Sequence, residues 1–311
     1  MTRFVIRRLI QSAVLVLVVV SGVFFLVHLT PGGPEAALTQ NPRIGADEVQ
    51  RLRERFGLND SLATQYVHWL LNAARLDFGR SYFYSRPAVE VIGDRLGPTL
   101  QLGFMAYLVA ILGLPLGVVA ALKRGRMADT AVRVLTTLGA AVPTWWLGLT
   151  CIVVLNSLTG WFPNGQGQGN PGEWLKYIIL PATVLGLSGL VTFARFTRSG
   201  VLDTLGEEYV RTAQAKGLGS VLVISRHVLR NALLPVVTLL GALLPTVLSG
   251  ALITEYVFSW PGVGRLFYEA ATSRDYPLLL AVLTMSTFAT ILGTLLADVG
   301  YGLVDPRIRY A

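Results

Sequence analysis

Residues 207–235 read EEYVRTAQAKGLGSVLVISRHVLRNALLP. This polar, basic stretch of roughly 30 residues lies between two apolar runs, each long enough to cross a bilayer. The pattern predicts two short helices broken at Gly217. Val210, Ala213 and the Lys216-Gly217 pair fall on the first, and Val223, His227 and Arg230 on the second. Glu207 and Glu208 stand where a helix N-terminus favours negative charge. Arg226, His227 and Arg230 crowd the opposite end. A structured polar loop between two spans is a surface that can be offered to a soluble partner.

The composition agrees with a membrane setting. The chain has 311 residues, 53% hydrophobic and 14% charged, against about 25% charged in soluble domains. The net charge of +8 fits the excess of Lys and Arg that cytoplasmic loops carry. Nucleic acid is not an expected partner, because no run mixes clustered bases with stacking aromatics. Cys151 is the single cysteine and sits in an apolar segment, so no intrachain disulfide can form. His28, His68 and His227 show no ligand spacing, and no metal site is expected.

Working outward from the loop, the expected fold is an all-α membrane protein with six transmembrane helices. They are placed near 9–29, 99–122, 132–158, 177–197, 232–257 and 278–303. The first apolar stretch follows Arg7-Arg8 but is too long for a signal peptide, so a retained first helix is expected. Pro31-Gly32-Gly33-Pro34 ends it. Orientation follows from the short loops. One side holds thirteen basic residues: Arg3, Arg7, Arg8, Lys123, Arg124, Arg126, Arg198, Arg211, Lys216, Arg226, Arg230, Arg307 and Arg309. The other holds three: Lys176, Arg265 and Arg274. Positive loops stay inside, which puts both termini and the 198–231 loop in the cytoplasm.

The expected domain organisation is a first transmembrane helix at 1–29, an extracytoplasmic helical insertion at 30–97, and a five-helix transmembrane domain at 98–311 that contains the 198–231 loop. Within the insertion, Val49, Leu52 and Phe56 follow helical spacing, as do Leu62, Tyr66, Trp69, Leu70 and Ala73. Val89, Ile92 and Leu96 mark a third short helix. This segment is expected to cap the bundle; the alternative reading is that it also touches a substrate-delivery protein. Trp260-Pro261-Gly262 reads as an interfacial aromatic beside a turn. Asp275 before Tyr276-Pro277 suits a helix cap with proline in the first turn.

Chemistry is not expected in this chain. A phosphate-binding loop needs Gly-Lys-Ser/Thr, and the three lysines, Lys123, Lys176 and Lys216, are followed by Arg, Tyr and Gly. Ser259 and Ser273 lie in turns without a local histidine, so no nucleophile–base pair stands out. Ion-coupled transport needs ionisable groups at membrane depth. Arg133, Arg195, Glu255 and Asp298 lie near helix ends instead. The span interiors carry hydroxyls that can bond their own backbone or line a weakly polar path. Thr144, Thr246, Ser249, Ser286 and Thr290 are the translocation-path candidates.

The loop also carries a family resemblance. It resembles the EAA loop of bacterial ABC-importer permeases: Arg211-Thr212-Ala213 stand where that family often has Glu-Ala-Ala, and Gly217 is its glycine. Only the last alanine matches, and Arg230 stands where many members have proline. The form YVRTAQAKGL followed by RHVLRNALLP is similar to the dipeptide/oligopeptide/nickel branch. So are RFGLNDSLATQYVHWL (55–70), TEYVFSWPGVGRLFYEAATSRDYPLLL (254–280) and the tail DPRIRY (305–310). The resemblance covers nearly the whole chain.

It implies a multi-pass permease subunit in the bacterial inner membrane that forms half of a pathway for di- or oligopeptides. Nickel chelates or glutathione-like solutes are the same-branch alternatives, and an ion-coupled secondary transporter is the rival class. The implied partners are the lipid bilayer, a second permease subunit that is a different homologous chain, two ATPase subunits that bind ATP and Mg, and an extracytoplasmic solute-binding protein. The permease itself takes no cofactor. The 207–231 loop would couple to the ATPases, with Glu208, Arg211, Ala213, Lys216, Gly217, Arg226 and His227 as its contact candidates.

Overall fold

A computed structural model of the chain describes residues 2–29, 59–160, 173–233, 239, 245 and 251–304. Every regular element among them is helical. In chain order these are α1 (Thr2–Leu29), α2 (Leu62–Ala74), α3 (Ala88–Ile111), α4 (Gly113–Leu122), α5 (Met127–Ala141), α6 (Thr144–Thr159) and α7 (Trp174–Leu205). Then come α8 (Glu208–Ala215), α9 (Ser220–Leu222), a π-helical turn (Val223–Val228), α10 (Leu229–Ala232), α11 (Leu252–Val257), α12 (Val263–Thr272) and α13 (Tyr276–Val304).

Among the described residues, four helical stretches are long and apolar enough to cross a membrane: 6–29, 88–122, 174–205 and 276–297. The bent pair α5–α6 makes a fifth if it counts as one span. The span expected at 132–158 is therefore not a single straight helix. It bends by 103° between α5 and α6, at Val142-Pro143. Proline lacks the N–H to continue the ladder and pushes the residue before it out of the helical region. Val142 is extended accordingly, at φ −90° and ψ 122°.

The span expected at 99–122 begins at Ala88 and steps at Leu112. The helix expected to stand alone around Val89, Ile92 and Leu96 is its first part. Pro98 lies inside α3. It removes one donor, and Gly97 before it has no Cβ to clash with the ring, so the helix runs through. The boundary expected at 97/98 thus falls within a helix. The span expected at 177–197 extends to Leu205, which makes Arg198 a helical residue. Most of the fifth expected span, 232–257, lies outside the described residues, with Thr238, Thr246 and Ser249; its last turns form α11. Val49, Leu52, Phe56 and the 305–310 tail also lie outside them.

α7 is the organising helix, packed along α3, α4 and α5. A seam of small residues lets the backbones meet. Gly113 and Gly117 on α4 abut the carbonyls of Leu190 and Ala194 on α7. Gly186 on α7 abuts the Ala106 carbonyl on α3. A Cβ at any of the three would strike backbone. Lipid offers little hydrophobic drive between helices, so close approach through small side chains replaces it. Outward faces stay apolar, as at Val18 and Leu26 on α1.

A second packing group joins α1 to α13 through Phe24, Val27, Tyr276 and Leu280. α2 covers it, as the spacing of Leu62, Tyr66, Trp69, Leu70 and Ala73 predicts. Ser61 caps this helix by accepting from the Thr64 N–H at 3.3 Å. The Tyr66 and Trp69 rings lie 5.4 and 5.1 Å from the Phe24 ring, and the Tyr66 and Ser21 hydroxyls are 2.6 Å apart. Here the described part of the 30–97 segment packs onto the first span.

Candidate functional site

The 207–231 loop folds as two short helical pieces around Gly217, as its pattern predicts. Glu207 is the N-cap of α8, in extended backbone, and Glu208 lies in its first turn. Gly217 has φ +75°, a left-handed conformation that glycine takes without Cβ strain. The Gly217 N–H donates to the Gln214 carbonyl at 2.9 Å and the Leu218 N–H to the Ala213 carbonyl at 3.4 Å. That pair of bonds is a Schellman cap, which satisfies the last carbonyls of the helix and turns the chain sharply. Gly219 then caps α9 and its π-helical continuation.

The loop is not a loose appendage. Val210, Ala213, Val223, Val228 and Ala232 form one buried cluster with Ala121 of α4 and Val201 of α7. Gly200 on α7 lies under the Ala232 carbonyl. Asn231 donates to the Tyr209 hydroxyl at 2.8 Å and ties α10 to α8. The loop therefore shares a core with two of the membrane helices, and a push on it is transmitted to them.

Of the contact candidates, Glu208, Arg211, Lys216, Gly217 and Arg226 are exposed, and His227 is half-buried. Ala213 points inward, at 6% exposure, and serves the cluster. The structure adds an apolar ridge that sequence reasoning missed: Leu218, Val221 and Leu222 are exposed, Val221 at 82%. Their i, i+3, i+4 spacing was the available signal. The whole surface is thus an apolar tip ringed by both signs of charge.

The translocation-path candidates are only partly brought together. Ser286 and Thr290 lie four residues apart on α13 and are half-buried. Thr144 opens α6, which packs on α7 and α11. Thr246 and Ser249 lie outside the described residues. Several span hydroxyls bond their own backbone: Thr136 to the Arg133 carbonyl, Thr183 to Ile179 and Thr294 to Thr290.

Two buried carboxylates fix the 254–280 stretch. Glu255 is fully buried. Thr99 Oγ1 of α3 donates to its Oε1 at 2.9 Å, and the Arg265 N–H donates to Oε2 at 3.0 Å. Thr99 Oγ1 in turn accepts from the Val263 N–H at 2.8 Å. Trp260, expected at an interface, is instead 4% exposed. Its indole N–H donates to the Pro98 carbonyl at 2.9 Å.

Asp275 caps α13 as expected, accepting from the Leu278 N–H at 3.3 Å. Its other oxygen accepts from the Ser81 hydroxyl and the Phe83 N–H. Burial, and after it the Asp275 charge, push the nearby Tyr82 phenol well above its ordinary value. Sequence reasoning placed Glu255 near a helix end and missed that its carboxylate is a structural clamp. Asp129, buried beside the turn after α4, is the equivalent on the loop side. Arg198 grips it with two bonds of 2.6 and 3.0 Å, and the Gly125 N–H adds one of 3.0 Å.

The described residues thus form a bundle of membrane-length helices with a polar loop cored into two of them. Residues 113–310 match the family described as binding-protein-dependent transport system inner membrane component, and residues 1–103 match its N-terminal membrane-component family. The chain belongs to this family. It is an inner-membrane permease of an ABC import system, in the peptide/nickel branch. Such permeases are not themselves enzymes and work with ATPase and binding-protein partners.

Among its relatives, the oligopeptide transport system permease protein AppB of Bacillus subtilis (strain 168) is 37% identical over 317 residues, covering 100% of both chains. The glutathione transport system permease protein GsiC of Escherichia coli (strain K12) is 36% identical over 311 residues, also covering 100% of both. A putative peptide transport system permease protein of Brucella abortus (strain 2308) is 35% identical over 314 residues, again covering 100% of both. Among solved structures, the inward-facing MetNI methionine ABC transporter aligns with a TM-score of 0.52 at 18% identity. That alignment covers 70% of this chain and 97% of the other, and it supports the permease fold.

Proposed function

We propose that the chain forms one half of the pathway of an ATP-driven importer for di- or oligopeptides. In this reading it has six spans, both termini and the 198–231 loop in the cytoplasm, and the 30–97 segment outside. Two ATPase subunits, a second and homologous permease, and an external binding protein complete the assembly. The observation that carries the reading is the loop: its exposed ridge and charged rim face outward while its other side is cored into α4 and α7. ATP-driven movement of the partner subunits pushes the loop, and the two membrane helices re-orient the path. The full-length likeness to permeases named for oligopeptides and peptides supports the solute class. Glutathione-like solutes are the second reading, supported by the 36% identical glutathione permease.

The reconstituted complex is expected to import a labelled oligopeptide with ATP and binding protein present, even with proton and sodium gradients collapsed. The chain alone transports nothing. Competition by unlabelled glutathione, with none by oligopeptides, selects the second reading. Gradient-dependent uptake by the single chain without ATP overturns the importer mechanism.

The orientation has its own test. In a Cys151→Ala background, Asn59→Cys is expected to react with an impermeant thiol reagent in intact spheroplasts. Ser220→Cys is expected to react only after the membrane is opened. The reverse pattern inverts the topology and removes the loop from the ATPase side.

A further inference from the structure

A cleft of about 450 Å³ opens between α5 and α7, lined by Arg133, Thr136, Thr137, Arg195 and Arg198 among others. We propose that it binds the phosphate of an anionic phospholipid from the cytoplasmic leaflet. The inference takes its sidedness from the orientation proposed above.

The charge balance of the cleft calls for an anion. Its three arginines meet one carboxylate, Asp129. Arg198 takes that carboxylate in a two-bond grip, which leaves Arg133 a marginal approach to it of 4.0 Å. Arg195 makes no hydrogen bond or ion pair among the described residues and is exposed. The Thr136 hydroxyl is spent on its own backbone, while that of Thr137 is free to donate. Arg195 and the Thr137 hydroxyl therefore face the cleft without a partner among the described residues, Arg133 has only that marginal one, and guanidinium is suited to phosphate oxygens.

Its depth suits a headgroup. Arg133 lies about 9 Å along α5 from the start of that helix, and Arg195 lies about 15 Å from the end of α7, at 1.5 Å per residue. The basic turn Lys123-Arg124-Gly125-Arg126 lies on the water side of the cleft. Beyond the arginines α5 turns apolar and exposed at Leu138, and α7 presents the half-buried Leu187 beside Gly139 of α5. A soluble anion has no use for those side chains, whereas an acyl chain has. A basic pocket between transmembrane helices on the cytoplasmic side is a recurring way of holding anionic headgroups.

The test uses the delipidated permease–ATPase complex in detergent, titrated with phosphatidylglycerol and with phosphatidylcholine of the same acyl chains, without ATP. Phosphatidylglycerol is expected to bind more tightly, and more weakly as salt is raised. The Arg133→Gln/Arg195→Gln pair is expected to weaken it about thirtyfold, or about fivefold per charge. Thr137→Val supplies a milder loss that leaves the Asp129–Arg198 grip untouched, and Lys176→Gln, at the other end of α7, leaves binding unchanged. Equal binding of the two lipids, or wild-type affinity in the double variant, overturns the proposal. Displacement of the lipid by millimolar inorganic phosphate or by the transported peptide overturns it too, and assigns the cleft to a soluble anion. Because binding is read without turnover, its loss leaves the uptake experiment standing, and failure of uptake leaves the lipid titration standing.

Discussion

Gly217→Trp is expected to leave the chain inserted in the membrane and to abolish ATP-dependent uptake. The backbone at Gly217 is left-handed, which costs a side-chain-bearing residue about 1 kcal/mol. A Cβ there meets nothing within 4 Å in this chain, so the indole has no internal clash and the fold survives. The indole instead projects from the apolar tip beside Leu218 and Val221. Overpacking a fitted contact costs about 1–3 kcal/mol, which is about 5- to 150-fold in affinity for the ATPase subunits. Gly217→Ala carries the backbone strain without the bulk and is expected to keep most of the uptake. Copurification of the ATPase subunits and transport are measured side by side; wild-type values for both in the tryptophan variant would refute the docking surface.

The loop can act as a lever because of what lies beneath it. Val210 and Ala213 on α8, and Val223 and Val228 after the break, are buried against Val201 of α7 and Ala121 of α4. α7 is also the helix that α3, α4 and α5 pack against. A displacement applied at Arg211 or Lys216 therefore reaches the helix on which most of the bundle rests. The Asp129–Arg198 grip joins α5 to α7 near the same end, so α5 is carried with them. Close-packed interiors pass such displacements on rather than absorbing them.

Much of this was legible in the sequence, because the physics involved is local. The apolar runs announced the long helices, the Val210–Gly217 pattern announced α8 and its glycine stop, and Asp275 before Tyr276-Pro277 announced the cap of α13. The errors came where a residue's local meaning was overridden by a partner far along the chain. Pro98 reads as a boundary, yet α3 continues through it and its carbonyl accepts from Trp260, 162 positions away. Trp260 reads as an interfacial aromatic for the same reason. Pro143, by contrast, does break its helix: the residue before it is the β-branched Val142, whereas Pro98 follows Gly97, which has no Cβ to clash with the ring. Ala213 was read as facing a partner because small residues allow close approach; the packing uses that smallness inward. Glu255 could not be recognised as a clamp, since its partners Thr99 and Arg265 become neighbours only after folding.

Glu255→Ala is expected to be the most damaging single change to the fold among the described polar residues. The carboxylate is completely buried and accepts from the Thr99 hydroxyl and the Arg265 N–H. Truncation leaves both donors facing an apolar void, at about 1–3 kcal/mol for each unsatisfied group. With the lost packing, the total is about 3–5 kcal/mol, a large share of a typical stability of about 5–15 kcal/mol. Glu255→Gln keeps one acceptor but turns an amide donor toward another donor, so it is expected to fall between wild type and alanine. Thr99→Val removes the hydroxyl that bridges Glu255 to the Val263 N–H, and its loss overlaps with that of Glu255→Ala. The double variant is therefore expected to cost less than the two single costs added, the mark of residues in one network. Thermal unfolding and monodisperse yield in detergent read these effects. A wild-type transition temperature in Glu255→Ala, or strict additivity with Thr99→Val, would show that the 254–280 stretch is held to α3 by its apolar contacts through Ile92 and Leu266 and not by the buried carboxylate.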